Sequence, residues 1–463
     1  MQSDHSHPAS FRDRSGFIFY KDGRLYRQVN SSYREQYDQL IQSGLFQTLV
    51  DRKLLIPHSE IEIEAPGFPE AYRVIEPDLI HFISYPYEWS FSQLKDAALL
   101  TLEIQEIALE HNMALKDASA FNVQFKHGQP ILIDTLSFEA YQEGEPWVAY
   151  RQFCQHFLAP LALMSFVDIR LLNLFTSYID GIPIDLASRL LPLKTRLNPG
   201  LLTHIHLHAA SQRRFTTRNT DKSQVRGSVS STAMRGLVDS LKRTISALDW
   251  KPLGTEWADY YSSSQNYENQ AAASKQALVS SILSELNPRE VWDLGANTGY
   301  YSELATKLEI PTISFDIDPG AVELNYQRSK EINDKWRLPL LLDLTNPTPA
   351  IGWNNRERAS LLQRGPTDFV MALALIHHLA ISNNVPMAAL ARFFAGLGKH
   401  VLIEFVPKSD PQVQRLLAFR EDIFEDYDQE TFEEQFGAYF SLDRKEPIDG
   451  SERVLYLFES RNL

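Results

Sequence analysis

Val291-Trp292-Asp293-Leu294-Gly295-Ala296-Asn297-Thr298-Gly299-Tyr300-Tyr301-Ser302 decides the fold of the carboxyl-terminal half. An apolar strand start leads into Asp293. A turn spaced by Gly295, Asn297 and Gly299 follows, and then a helical pattern from Tyr300 to Leu308. Strand, tight glycine turn and helix form the local geometry that holds a nucleotide-like cofactor against main chain. The two glycines permit a sharp turn and a close approach that a β-carbon would block.

Downstream, apolar runs alternate with helical stretches. Pro311–Asp316 is expected as a second strand ending in an acid, and Pro319–Lys330 as a helix with proline in its first turn. Leu338–Leu342 is closed by Asp343, Asp368–Leu375 is followed by Ile376, His377 and His378, and Lys399–Val406 carries Glu404 at its end. This alternation predicts a parallel sheet. Asp293, Asp316 and Asp343 then fall at the carboxyl ends of successive strands, where open α/β sheets bind ligands.

These residues carry a resemblance. Residues 246–463 are similar to class I S-adenosylmethionine-dependent methyltransferases, with Asn297 where the commonest form of the first motif has glycine. The resemblance implies a Rossmann-like sheet of seven strands whose last two form a hairpin, for which Tyr439–Leu442 and Arg453–Phe458 are suited. It implies S-adenosylmethionine as cofactor. By position, Asp293 and the loop Gly295–Gly299, with Asn297, border its methionine and ribose part. Asp316 takes the ribose hydroxyls, with Asp318 a weaker candidate, and Asp343 with Leu344 meets the adenine.

The acid after the second strand would equally suit a dinucleotide, so a dehydrogenase competes, as does an α/β protein that binds no cofactor. The dinucleotide fingerprint requires a third glycine for close helix packing, and neither position 300 nor 302 supplies it. His377 and His378 are candidate general bases, because imidazole titrates near neutrality. They compete with simple packing of the loop. Glu404 is a candidate for orienting an acceptor, competing with a carboxylate that merely supports Pro407–Pro411. Tyr260, Tyr261 and Tyr267 precede the core, where the family places a lid. No Asn/Asp-Pro-Pro-Tyr follows the fourth strand, which points away from exocyclic amines and amides and towards oxygen or carbon of a small or medium-sized acceptor.

Composition sets outer bounds. A chain of 463 residues implies two or three domains. Lys and Arg number 45 against 59 Asp and Glu, a formal charge of −14, which disfavours a nucleic-acid surface. Cys154 is the only cysteine, so intramolecular disulfides and thiolate zinc sites are excluded. No metal site is expected. His204, His206 and His208 alternate, a pattern that a metal clip would use but that is read as one face of a short strand or loop. The polar start lacks a secretion signal, and Phe157–Val167 is too short to span a bilayer, so a buried helix and a cytoplasmic protein are expected. Sequence does not specify the oligomeric state.

The amino-terminal region, 1–205, is expected to be an α+β domain. Phe17–Val29 suits a hairpin turning at Asp22-Gly23, and Tyr33–Phe46 and Phe91–Glu110 have helical periodicity. Asp117, four residues, Asn122, a short hairpin and an apolar strand ending in Asp134 resemble the catalytic segment of kinase-like phosphotransferases. That resemblance implies a degenerate nucleotide site in which Asp117 meets a substrate hydroxyl and Asn122 and Asp134 hold magnesium. Leu115 stands where those enzymes have histidine, Thr135-Leu136 replace Phe-Gly, no glycine-rich loop precedes, and Arg27 is the one candidate for the strand lysine. The competing reading is an Asx turn with a capped hairpin. Residues 206–245 are rich in Ser, Thr and Arg around 209–234 and are expected to be a flexible linker. The leading function is methyl transfer to a small molecule. The alternative is a bifunctional or regulatory protein with an ATP-binding amino-terminal domain.

Overall fold

The computed structural model describes residues 7–63, 71–211, 229–252, 267–418 and 420–461. Tyr260 and Tyr261 lie outside these residues, as does most of the Ser-, Thr- and Arg-rich stretch 209–234. The chain divides into two units, Met1–Trp250 with Ile351–Arg358, and Lys251–Ala350 with Ala359–Leu463.

In the first unit, β1 (Gly16–Lys21) and β2 (Arg24–Asn30) form the expected hairpin. Asp22 and Gly23 both have positive φ, 51° and 76°, as a two-residue turn matched to strand twist requires. With β3 (His58–Ile61) and β4 (Ala71–Pro77) the sheet order is β1-β2-β4-β3, antiparallel throughout. The helix expected over Tyr33–Phe46 spans Arg34–Gln42, because Gly44 at φ 79° breaks it before Leu45–Asp51 begins. Phe91–Glu110 is helical over its whole expected length and opens with a capping box between Ser90 and Gln93. Four short strands follow: β5 (Met113–Leu115), paired with β8 (Phe138–Ala140), and the hairpin of β6 (Val123–Lys126) and β7 (Gln129–Leu132).

Two expectations in this unit are corrected. Ser231–Ser246, placed in the linker, is a 16-residue helix. It buries Met234, Val238, Leu241 and Ile245 against Phe91–Glu110, and Lys242 Nζ pairs with Glu106 at 2.6 Å. The periodicity of its apolar residues was there to see, but the polar composition of the preceding stretch obscured it. His204, His206 and His208 sit on a wide helical turn, not on a strand or loop. His204 bonds Tyr150 and Ser240, and His206 bonds Ser188 and Thr195, so these imidazoles are hydrogen-bonded side chains of the core. Ala159–Phe166 is the expected buried helix. Among the described residues no helix is long and apolar enough to cross a membrane.

The second unit carries a seven-stranded sheet. Its strands are β9 (Val291–Leu294), β10 (Thr312–Asp316), β11 (Arg337–Leu341), β12 (Thr367–Ala372), β13 (Gly398–Phe405), β14 (Phe440–Pro447) and β15 (Val454–Ser460). Their order is β11-β10-β9-β12-β13-β15-β14. The first five are parallel, and β15 enters antiparallel between β13 and β14 as the terminal hairpin. The chain leaves β9 towards β10 on one side and later returns to β12 on the other. The switch in direction therefore lies between β9 and β12, where such sheets open a crevice at their carboxyl ends.

Side-chain alternation sorts the chemistry onto one face. Val291 and Asp293 share a face of β9, and Leu402 and Glu404 share a face of β13. Val279, Ile282 and Leu283 of the helix Tyr267–Leu286 pack there against Val291, Phe369, Met371, Leu402, Leu455 and Leu457.

Candidate functional site

The loop after β9 takes three left-handed residues, Gly295 at φ 75°, Asn297 at 51° and Gly299 at 81°. Asparagine tolerates this region better than other side chains, which explains why Asn297 can stand where glycine is commoner. The N–H groups of Gly295 and Ala296 both donate to the Phe315 carbonyl at 2.9 Å, tying the turn to β10. Gly299 is constrained twice, since a β-carbon there would lie 2.3 Å from Asn325 Oδ1. Arg337, fully buried, donates to the Gly299 carbonyl at 3.3 Å and to Asn325 Oδ1 at 3.2 Å, with its other edge on Asp334. Gly299→Ala is expected to cost about 2 kcal/mol or more, from left-handed strain plus displacement of Asn325. A midpoint shift in thermal or urea unfolding measures it, and a shift within error would show that the loop relaxes freely.

Asp316 closes β10 and is buried. One carboxylate oxygen accepts from the Asn297 N–H at 2.7 Å and the other from the Asp318 N–H at 2.9 Å. Burial pushes its pKa up to about 6 against these two donors, and Asp318 adds to the rise. Each oxygen keeps acceptor capacity for a further donor. Asp318 is occupied otherwise, capping the helix Pro319–Glu331 through the Gly320 N–H at 2.7 Å. Asp343 follows β11, and its Oδ1 is engaged by the Thr345 N–H and hydroxyl at 2.8 and 2.6 Å.

Asp293 is brought to the same loop but faces inward. Its Oδ2 accepts from Ser302 Oγ at 2.6 Å, and Ser302 Oγ accepts in turn from Ser314 Oγ at 2.8 Å. Burial pushes the carboxyl up to about 6, opposed by Ser302 and Lys275. Its visible work is to fasten the helix start at Ser302 to the strand beneath it.

His377 and His378 follow β12 with ring centroids 4.2 Å apart. His377 is buried, and its Nδ1 has no hydrogen-bond partner among the described residues. Burial first, then His378, Arg453 and Lys275, hold its pKa well below the ordinary imidazole range. At neutral pH it is an uncharged ring. Glu404 is fully buried and doubly paired, with Lys275 Nζ at 2.5 Å and Arg453 Nη1 at 3.2 Å. Arg453 also grips Asp410 at 2.7 and 3.1 Å. Burial alone would raise the Glu404 pKa, yet the two cations hold it below the ordinary carboxylate range. It is thus a clamped anion that ties β13 to the helix Tyr267–Leu286 and to the loop at Asp410.

Lys275 was not singled out from the sequence. Its ammonium lies 4.4 Å from the Tyr301 ring centre, on the buried face of its helix. The signal was present, because Lys275 falls in register with Val279, Ile282 and Leu286, where an apolar residue is expected.

In the first unit, Asp117, Asn122 and Asp134 are gathered around one short turn. Asp117 Oδ1 accepts from the Ser119 N–H at 2.9 Å and Gln152 Nε2 at 2.8 Å. Burial and the nearby Asp134 raise its pKa, while Asn122 bonds it from the other side. Asn122 Nδ2 also donates to Ser137 Oγ at 3.3 Å. Arg27 pairs with Asp134 at 2.5 Å and with Asp13 at 3.5 Å. Burial would raise the Asp134 pKa, but Arg27 holds it below its usual value.

No family model matches the chain. Over 458 residues it is 35% identical to the nodulation protein NoeA of Rhizobium meliloti strain 1021, covering 97% of this chain and 95% of that one. The chain belongs to the NoeA family. Among solved structures, magnesium protoporphyrin IX methyltransferase (ChlM) from Synechocystis PCC 6803 with bound SAM is 17% identical over 44% of this chain and 88% of that one, at a TM-score of 0.30. The bifunctional kinase-methyltransferase WbdD is 14% identical over 45% of this chain and 43% of its own, also at 0.30. A SAM-dependent methyltransferase from Aquifex aeolicus is 12% identical over 42% of this chain and 98% of that one, at 0.28.

Within this NoeA-family chain a cavity of about 560 Å³ is lined by Gln276, Thr298, Tyr300, Glu303, Gln327 and Arg328, among others. None of Asp293, Asp316 or Asp343 lines it, and its charges pair internally, as in Glu303 with Lys307 at 3.0 Å. Among the described residues no group of three His, Cys, Asp or Glu side chains could hold a metal ion.

Proposed function

We propose that the second unit is an S-adenosylmethionine-dependent methyltransferase acting on oxygen or carbon of a small or medium-sized acceptor in the cytoplasm. The observation that carries this reading is Asp316. It is a buried carboxylate at the end of the strand beside the glycine turn, with one backbone N–H on each oxygen and acceptor capacity to spare. Two vicinal hydroxyls of a ribose are the natural complement, since charge-assisted bonds to a carboxylate are strong and directional.

The residues fit the cofactor. Asp316 would take the ribose, the Gly295–Gly299 turn would face the methionine part, and Asp343 with Leu344 would border the adenine. The bound cofactor supplies an electrophilic methyl group, which leaves the protein chiefly the work of alignment and water exclusion. Asp293 anchors the helix that follows the turn, and the Lys275–Glu404–Arg453 clamp holds the neighbouring strand ends. His377, neutral and unpartnered at Nδ1, is the group here that can hold an acceptor hydroxyl or receive its proton. Calorimetry with S-adenosylmethionine and with its demethylated product tests the reading, and wild-type protein that binds neither overturns it. Incubation of a metabolite extract with labelled cofactor, followed by mass spectrometry, would identify the acceptor by its gain of one methyl group.

A second reading, an ATP-binding first unit, is favoured by the gathering of Asp117, Asn122 and Asp134. Magnesium, which that resemblance implies, fits poorly. Arg27 already neutralises Asp134, and the described residues offer no cluster of three metal-capable side chains. No phosphoryl-transfer step is assigned. Heat on titration with magnesium and ATP would support nucleotide binding, and its absence would retire this reading.

A further inference from the structure

The short helical turn Leu193–Leu197 of the first unit is packed inside out. Its buried side chain is a threonine, Thr195, whereas Leu193 is 74% exposed and Leu197 86% exposed. Hydrogen bonds hold it that way. The Thr195 hydroxyl donates to the Pro192 carbonyl at 2.7 Å, so it accepts from His206 Nε2, 2.9 Å away. That leaves His206 Nδ1 to accept the Ser188 hydroxyl at 2.9 Å. One buried imidazole thus pins together the helix Ile184–Leu190, the turn Leu193–Leu197 and the wide turn Leu202–Leu207. Each of the three ends in an exposed leucine, Leu190, Leu197 or Leu207.

The charge of this surface runs against that of the chain. The whole carries a formal −14, yet no Asp or Glu occurs from Leu186 to Ser211. Arg189, Lys194 and Arg196 lie in that span and are exposed. The acids at its border are already neutralised, Asp185 by Arg189 at 2.5 Å and Asp168 by Arg170 at 2.6 Å. The Lys194 ammonium lies 5.9 Å from the Phe166 ring centre, at the end of the helix Ala159–Phe166. Its stem covers apolar surface while its charge stays outside.

We propose that Leu190, Leu193, Leu197 and Leu207, with Lys194 and Arg196, dock the first unit peripherally on an anionic lipid bilayer. Leucines projecting among cations suit the boundary between head groups and acyl chains, where apolar tips enter hydrocarbon and cations meet phosphate. A protein partner would need a pocket for each projecting side chain, whereas lipid conforms to any shape. A nucleic acid would be served by rings on which bases stack, and the projecting side chains here are leucines. Such docking requires no membrane-spanning helix, and it depends on neither methyl transfer nor nucleotide binding.

Co-sedimentation of the full chain with vesicles tests this, using phosphatidylcholine alone and phosphatidylcholine mixed equally with phosphatidylglycerol. Wild-type protein is expected to bind the mixed vesicles about tenfold or more tighter, and to leave them as salt rises. Lys194→Gln/Arg196→Gln should weaken that binding about 30-fold, at roughly fivefold for each basic residue near an anionic surface. Leu193→Ser/Leu197→Ser should weaken it by about tenfold or more. These positions are exposed, so thermal unfolding should match wild type in both variants. A solvatochromic dye on Leu197→Cys should shift to the blue on mixed vesicles, with Cys154 buried and unlabelled. Wild-type protein that ignores the mixed vesicles, or binds both kinds alike, overturns the proposal. A leucine variant that binds like wild type also overturns it, because the attraction then lies elsewhere in the chain. So does a wild-type dimer that the leucine substitutions dissolve without any vesicle binding, which would make a second copy of the chain the occupant.

Discussion

Asp316→Ala is expected to weaken binding of S-adenosylmethionine and S-adenosylhomocysteine at least 100-fold, with the fold retained. Two hydrogen bonds to a charged acceptor are worth about 1.5–3 kcal/mol each, so their joint loss spans roughly two to four orders of magnitude in affinity. The substitution also strips the Asn297 and Asp318 N–H groups of their acceptor, which loosens the glycine turn before any ligand arrives. Calorimetry at pH 7.5 measures the affinity, and circular dichroism guards against unfolding. An Asp316→Ala protein that binds within threefold of wild type would sink the ribose assignment. The wild-type pH dependence gives an independent check. Hydroxyl donors favour the ionised carboxylate, which in the free protein holds a proton below about pH 6. Affinity should be flat above pH 7 and fall as pH drops through 6, by up to tenfold per pH unit, and the fall should vanish in Asp316→Asn.

The sheet was legible in the sequence because five buried parallel strands must be written as apolar runs, and four of the five are closed by a recognisable glycine or acid. Asp316, Asp343 and Glu404 mark strand ends within a residue or two, and Gly295 and Gly299 have left-handed φ that few other residues tolerate. Less legible was what each acid does. Asp293 and Asp316 look alike as strand-terminal aspartates, yet one turns to Ser302 under the helix and the other to the turn's N–H groups. That choice depends on which face of the strand a position occupies, and on a partner nine or nineteen residues away. Glu404 illustrates the same limit more sharply. Its clamp joins Lys275, Arg453 and Asp410 from elements spread over 178 residues of chain, and no local pattern announces such a pairing. The assignment of Ile351–Arg358 to the first unit was invisible for a related reason, since a short polar stretch rich in Asn and Arg is written like any surface loop.

Glu404→Leu is expected to destabilise the second unit by about 3–5 kcal/mol, the cost of breaking a buried ion pair from one side. Removing the anion strips Lys275 of the carboxylate it is hydrogen-bonded to, leaving only the charge of Asp293 nearby, and a buried charge without its direct partner is costly where a paired one is not. Arg453 suffers less, because Asp410 still holds its Nε and Nη2. The asymmetry gives the prediction its form. Lys275→Met alone leaves Glu404 with Arg453, so it should cost less than Glu404→Leu. The double variant Lys275→Met/Glu404→Leu should recover much of the loss, because neither charge is then stranded. Urea unfolding of the four proteins closes the double-mutant cycle, and the coupling should exceed about 1 kcal/mol. Additive losses would mean that the two side chains do not sense each other, and that the helix Tyr267–Leu286 is held on the sheet by its apolar residues alone. The pH dependence fixes the sign. Glu404 is held below its ordinary value when folded, so its contribution is present above the unfolded carboxylate range and is lost as pH falls through the lower folded value. The stability gap between wild type and Glu404→Leu should therefore be full at pH 7 and shrink on acidification.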